Sequence, residues 1–134
     1  QNLGMIIRAV CAGNIDALLF SEKGNASIGP LAIKASAGTA FRTNIIRCDS
    51  LHQTLQDYQA AGFELCTLSA DAHSSLFEHH SDKAIIYILG NESNGVSNNI
   101  RQLTDRQLSI PMNNGVESLN VAITAALIAY NRLL

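Results

Sequence analysis

Residues Ile110 to Asn120 read IPMNNGVESLN. They join an apolar run, Leu108 to Met112, to an apolar helix pattern that fills the C-terminus. Pro111 has no N–H to give a sheet ladder, so a strand ends or lies at an edge there. Asn113, Asn114 and Gly115 tolerate positive φ and let the chain turn sharply. Glu117 to Asn120 then opens a helix. A polar loop held between a strand end and a helix start is where open α/β sheets bind ligands. Its main-chain groups are free to read something flat and polar.

Outward from this stretch, Gln107 to Met112 predicts a strand and Ser118 to Leu134 a helix. Before them, Ala84 to Leu89 (AIIYIL) is almost purely apolar, as expected of a central strand buried on both faces. Gly90 to Gly95 reads as a loop and Val96 to Leu103 as a short helix. Further upstream the pattern predicts a helix over Leu3 to Ala12 capped by Asn2, a strand over Ala17 to Phe20, and a polar loop from Ser21 to Gly29. A helix follows from Pro30 through Ala37. Next come a strand over Asn44 to Cys48, a helix over Leu51 to Ala61 behind the capping residues Asp49 and Ser50, and a strand over Phe63 to Leu68. Ser69 to Asp82 is polar and reads as irregular. Strands alternate with helices throughout, which predicts an α/β domain: a mostly parallel sheet with helices on both faces. No repeat or linker divides it.

The chain has 134 residues, 47% hydrophobic and 15% charged, with a formal charge of −2. That suits one globular domain and argues against a strongly basic nucleic-acid surface. Six arginines, Arg8, Arg42, Arg47, Arg101, Arg106 and Arg132, are scattered and could still converge in space. Cys11, Cys48 and Cys66 form no CxxC, and their odd number fits a reducing compartment; they read as buried small hydrophobes. His52, His73, His79 and His80 have no metal-site spacing and read as solvated loop histidines, so no metal is expected. No apolar run reaches the roughly 18 residues of a spanning helix, so no membrane partner is expected.

Val121, Ala122, Ile123, Ala125, Ala126, Leu127, Ile128 and Ala129 cover nearly the whole circumference of the last helix. A helix apolar all round is buried on all sides. The first helix shares this property through Met5, Ile6, Ile7, Val10 and Cys11. Burial in one large core would satisfy both, but in so small a domain the expectation is a second subunit covering them.

Three polar clusters accompany these elements: NLGMIIR (Asn2 to Arg8), LGNESNG (Leu89 to Gly95) and IPMNNGVESLN. The second lacks the Lys of a phosphate loop, since Val96 follows Gly95, and no GxGxxG follows a strand. No GxSxG elbow supports a serine nucleophile. Singly, Glu92 reads as a solvated carboxylate, Ser118 and Asn120 as caps, and Arg8 as a surface residue. In order, NxGxxxR, LGxExxG and IPMxxxxxSLNVA resemble the three motifs of the SpoU (TrmH-like) branch of the SPOUT methyltransferases. ASAGT, Ala35 to Thr39, resembles that family's SAG segment. The resemblance covers the whole chain.

The resemblance implies S-adenosyl-L-methionine-dependent methylation of a ribose 2′-hydroxyl in tRNA or rRNA, in the cytoplasm. It also implies a C-terminal trefoil knot and a homodimer packed through the first and last helices. General topology rules would argue against a knot. Carried over residue by residue, the cofactor would lie against Leu89 and Gly90, Ile110 and Met112, and Leu119, with the loop from Leu68 and Ser69 to Ala70 closing over it. Asn2, Arg8, Glu92, Ser118 and Asn120 match the polar catalytic set. The family's motif-one arginine is proposed to assist deprotonation. A guanidinium stays protonated in proteins, so Arg8 is expected to anchor a phosphate or oxyanion, with Glu92 or Asn120 orienting the loop. Relatives carry a strand before the motif-one Asn, and many carry an upstream RNA-binding domain. This chain opens at Gln1 directly into a helix, so both are expected to lie outside it. The alternatives are a catalytically inactive RNA- or cofactor-binding module of the same fold, and a different small-molecule α/β enzyme.

Overall fold

A computed structural model describes residues 2–21, 29–90 and 95–131. The chain forms two compact units: Gln1–Leu51 with Asn120–Leu134, and His52–Leu119.

In the first unit, α1 (Asn2–Ala12) packs against α2 (Pro30–Ala35) and α5 (Val121–Asn131). Its buried positions Gly4, Ile7 and Val10 recur every third residue, so one stripe of α1 faces the core. Gly4 permits the approach to α2. A Cβ there would meet the carbonyl oxygen of Ala32 and come within 2.6 Å of the Ala35 Cβ. α2 stops at Ala35 rather than Ala37, because Ala37 (φ 55) and Gly38 (φ 81) are both left-handed. Ser36, fully buried, then donates to the Ile33 carbonyl at 2.7 Å, and a 3-10 turn follows over Thr39–Phe41. β1 (Leu18–Phe20) and β2 (Ile45–Arg47) pair in parallel from Leu18 opposite Ile45 to Phe20 opposite Arg47. The core here is Ile7, Val10, Phe20, Ala32, Ala122, Ala125, Ile128 and Ala129.

The two outer helices are not buried all round in the chain. α5 buries Ala122, Ala125, Ile128 and Ala129 but leaves Ile123 49% and Tyr130 39% exposed, and α1 leaves Met5 44% exposed.

The second unit holds β3 (Glu64–Leu68), β4 (Ser74–Ser75), β5 (Ile85–Ile88), α4 (Asn98–Leu103), β6 (Arg106–Ser109) and, from His52 onward, α3 (Leu51–Ala60). Its four strands lie in the order β4-β6-β3-β5, and all the pairs are parallel. Leu55, Leu65, Cys66, Leu76, Ile88 and Leu108 form its core. Asp105 fastens β6 beside β3: its N–H donates to the Leu65 carbonyl at 2.9 Å, and its carboxylate accepts from the Leu65 N–H at 2.8 Å.

Three expectations need correction. Among the described residues the strands pair in two sheets, not one; alternation of strands and helices counts strands but does not assign their neighbours. The polar stretch from Ser69 to Asp82 is not wholly irregular, since Ser74 and Ser75 pair with Leu108 and Ser109. The last strand ends at Ser109, two residues before Pro111, and the last helix begins at Val121 rather than Ser118.

Candidate functional site

The residues expected to hold the cofactor gather at one edge of the second unit's sheet. Thr67 lies opposite Ile88 on β5 and Gln107 on β6. Leu68 and Ser69, Leu89 and Gly90, and Ile110 are therefore the residues at which three adjacent parallel strands run out. Crevices beyond the carboxyl ends of strands are where open α/β sheets take ligands.

Ser69 is held in this edge by its N–H, which donates to the Leu108 carbonyl at 2.8 Å. Beyond Ser109 the ladder stops, and among the described residues no backbone partner is found for the main chain of Ile110 or Met112. Pro111 between them keeps the strand from continuing. Ile110 and Met112 are half-buried residues whose main chain is left without a backbone partner among the described residues. Past it, Asn114 (φ 58) and Gly115 (φ 76) are successive left-handed residues, and the Val116 N–H closes on the Asn113 carbonyl at 3.2 Å. That is the pattern of a type I′ turn. Ser118 is exposed and Leu119 half-buried at the end of this loop.

On the neighbouring strand end, the backbone of Gly90 runs against the backbone of Gly95 and Val96, with no room for a side chain between them. Glu92 lies outside the described residues.

The first unit brings together the ends of the first and third motifs. Asn120 Nδ2 donates to Asn2 Oδ1 at 3.2 Å. Asn120 Oδ1 accepts from the N–H groups of Ala122 at 2.8 Å and Ile123 at 3.4 Å, which makes Asn120 the N-cap of α5. One amide side chain thus joins α5's first turn to the start of α1. Asn2, expected as a cap, lies within α1 itself. Asn2, Met5 and Arg8 form the stripe beside the buried one, and Arg8 is exposed.

The sequence profile of the SpoU rRNA methylase family matches residues 1–130. The chain belongs to this family. A Mycolicibacterium gilvum (strain PYR-GCK) protein, described as an uncharacterized tRNA/rRNA methyltransferase, is 34% identical over 128 residues, covering 96% of this chain and 41% of that protein. The SpoU methyltransferase AviRb from Streptomyces viridochromogenes, crystallised in complex with the cofactor AdoMet, is 29% identical at a TM-score of 0.85. The match covers 97% of this chain and 53% of that one. An RNA 2′-O ribose methyltransferase of solved structure is 26% identical at a TM-score of 0.79, over 99% of this chain and 52% of that one. The chain spans about two fifths of the length of the curated relatives it matches. The chain's α/β fold with parallel strands matches that of the SpoU methyltransferase AviRb.

One cluster carries no signal in the sequence. His79, expected as a solvated loop histidine, has a side chain only 7% exposed, and its Nε2 lies 2.7 Å from Glu64 Oε1. Cys66 is buried as expected, but beside a carboxylate rather than in apolar surroundings: its Sγ donates to Glu64 Oε1 at 3.4 Å. Glu64 and Cys66 alternate on one strand and so share a face. His79 is fifteen residues from Glu64 and carries no signal at that interval. Among the described residues no helix is long and apolar enough to cross a membrane.

Proposed function

We propose that this chain is the catalytic domain of an S-adenosyl-L-methionine-dependent RNA methyltransferase acting on a ribose 2′-hydroxyl of tRNA or rRNA. The observation that carries the reading is the carboxyl edge of the parallel sheet, where Leu68, Ser69, Leu89, Gly90, Ile110 and Met112 gather around unspent main-chain groups. Such an edge suits an adenine, whose rim of donors and acceptors matches backbone N–H and C=O groups. The AdoMet complex of AviRb and the ribose methyltransferase neighbour support the choice of cofactor and acceptor.

The cofactor supplies a methyl group already activated on a sulfonium. The chain's own residues have to position the acceptor and dispose of a proton. Arg8, exposed and permanently charged, anchors an RNA phosphate or a developing oxyanion. Asn120 holds Asn2 while capping α5, so the amide pair is presented by two helix starts rather than by mobile loops. Ser118 and Glu92 complete the proposed polar set, with Leu119 on the cofactor side.

In the same reading the last segments form a trefoil knot. The exposed apolar side chains Met5, Ile123 and Tyr130 make the surface of a homodimer packed through α1 and α5. Sedimentation of the wild type and of Ile123→Asp tests the homodimer; a wild-type monomer at micromolar concentration refutes it.

The function is tested with radiolabelled cofactor and bulk tRNA and rRNA. The expected product resists alkaline cleavage at the modified nucleotide, because the 2′-oxygen is blocked. Arg8→Ala should abolish transfer while calorimetric affinity for S-adenosyl-L-methionine stays within about twofold, as for a residue acting only in the transition state. Parallel loss of both refutes the role given to Arg8, and absence of any cofactor binding refutes the function.

A further inference from the structure

We propose that Glu64, Cys66 and His79 form a binding site for one borderline divalent transition-metal ion of the zinc class. The three potential ligand atoms lie within 4.8 Å of one another. The site is set apart from the proposed methyl-transfer edge. Glu64 opens β3 and Leu68 closes it, roughly 13 Å along the strand.

The donor set selects the ion. A thiol, an imidazole and a single carboxylate oxygen suit zinc or cobalt and do not suit magnesium or calcium. In a tetrahedral zinc site, bonds of about 2.0–2.3 Å hold ligand atoms roughly 3.3–3.7 Å apart. Cys66 Sγ and Glu64 Oε1, at 3.4 Å, already have that separation. His79 Nε2 and Glu64 Oε1, at 2.7 Å, have to open by less than about 1 Å.

The carboxylate is oriented for the task. Ser81 Oγ donates to Oε2 at 2.9 Å, which leaves Oε1 turned toward His79 and Cys66. Outer-shell hydrogen bonds of this kind fix the ligands of metal sites. Arg106 Nε lies 3.4 Å from Oε1, but its side chain is 58% exposed and can swing into water when a cation enters. Water fills the fourth position.

Without an ion the cluster is held by hydrogen bonds to Glu64, and the thiol stays protonated. Burial, and then the Glu64 carboxylate beside it, push the Cys66 thiol up to about 12. A divalent cation reverses that: the thiol proton leaves to solvent, the His79 ring gives up its Nε2 proton and carries one on Nδ1 instead, and thiolate, carboxylate and neutral imidazole Nε2 each donate an electron pair. Bound there, the ion clamps β3 to the segment around His79 and takes no part in methyl transfer.

The test is a Co(II) titration of the metal-free full chain under reducing conditions. One equivalent should bind with a near-ultraviolet thiolate-to-cobalt band, and Zn(II) should displace it and raise Tm. Cys66→Ser should lose the band, whereas Cys11→Ser and Cys48→Ser keep it. Ser81→Ala should weaken Co(II) about tenfold. If Cys66→Ser does not fold, His79→Gln carries the test. It should retain the band and bind Co(II) at least tenfold more weakly. No band at one equivalent, a band surviving Cys66→Ser, or unchanged affinity in His79→Gln overturns the proposal.

Discussion

Replacing Gly90 by Ala puts a methyl group where two backbone segments already touch. A Cβ built on Gly90 lies 2.5 Å from the Val96 nitrogen and 2.6 Å from the Gly95 Cα, against an ordinary contact of 3.4–4 Å. The segment at Gly95 and Val96 would have to retreat by about 1 Å, and it cannot rotate away as a side chain could. Overpacking costs about 1–3 kcal/mol, and an unyielding backbone sets the upper end. Alanine loses less conformational entropy on folding than glycine, which returns about 0.4–1 kcal/mol. The net expectation is a loss of about 2 kcal/mol, or roughly 6–10 °C in Tm for a chain of this size. Gly90 also stands at the proposed cofactor edge, so the displaced loop should cost affinity for S-adenosyl-L-methionine. Thermal melts followed by circular dichroism give the first quantity, and calorimetry at a temperature where the variant is fully folded gives the second. A variant with wild-type Tm and wild-type affinity would falsify both the packing argument and the place given to Gly90.

Other perturbations separate stability from chemistry. Asn120→Ala removes the acceptor for the first turn of α5 and should cost about 1 kcal/mol. Asn120→Asp keeps that acceptor and adds a charge favoured at a helix N-terminus, so it should match wild-type stability while methyl transfer, deprived of the donor to Asn2, falls at least tenfold. Equal destabilisation by both changes would mean that capping is not the role of the side chain. Asp105→Ala leaves the buried Leu65 N–H unpaired and should cost about 2 kcal/mol in urea unfolding; a change below about 0.5 kcal/mol would rule out Asp105 as the fastening of β6. Burial raises the Glu64 carboxyl, but hydrogen bonds from Ser81, Cys66 and His79 outweigh it and hold the group below its ordinary 4.5. Its contribution to stability is therefore present above pH 4.5 and lost as acidification passes through the lower folded value. In metal-free protein, Glu64→Gln should flatten that acid limb, and an unchanged limb would show that other groups set it.

Much of the frame was legible because its signals are local. AIIYIL marks a strand by composition alone, and β5 lies within it; the expected central place buried on both faces is not found, since among the described residues β5 is an edge strand with only Ile88 buried. Asn-Gly at 114–115 demands left-handed backbone, and both residues adopt it. Pro111 limits the strand before it, although β6 ends at Ser109. What failed was information carried by partners rather than by the segment itself. β4 is two serines in a polar run, a strand only because Leu108 and Ser109 lie beside them. Alternation could not say that β1 and β2 pair with each other in a separate sheet. Ser118 and Asn120 are both good caps by residue type, and only the hydrogen bonds that Asn120 Oδ1 accepts from Ala122 and Ile123 show which of them starts α5.

The candidate site divides along the same line, and the division explains what a motif encodes. In NxGxxxR, Gly4 is spent on packing, since any side chain there strikes Ala32 and Ala35. Asn2 is spent on a hydrogen bond to Asn120, and only Arg8 stands exposed and uncommitted to the fold. In LGxExxG, Gly90 is again a packing residue. In the third motif Asn120 caps a helix. A recurring spacing therefore mixes residues fixed by backbone contact with residues available for chemistry, and nothing in the string distinguishes them. Glu64, Cys66 and His79 are the converse: three side chains with metal-ligating atoms brought together by the fold with no spacing to announce them. Packing demands leave small or capping residues at fixed positions, whereas a site assembled from separate segments needs only the right atoms at the right distance. The first kind of site can be read from a sequence, and the second has to be found in three dimensions.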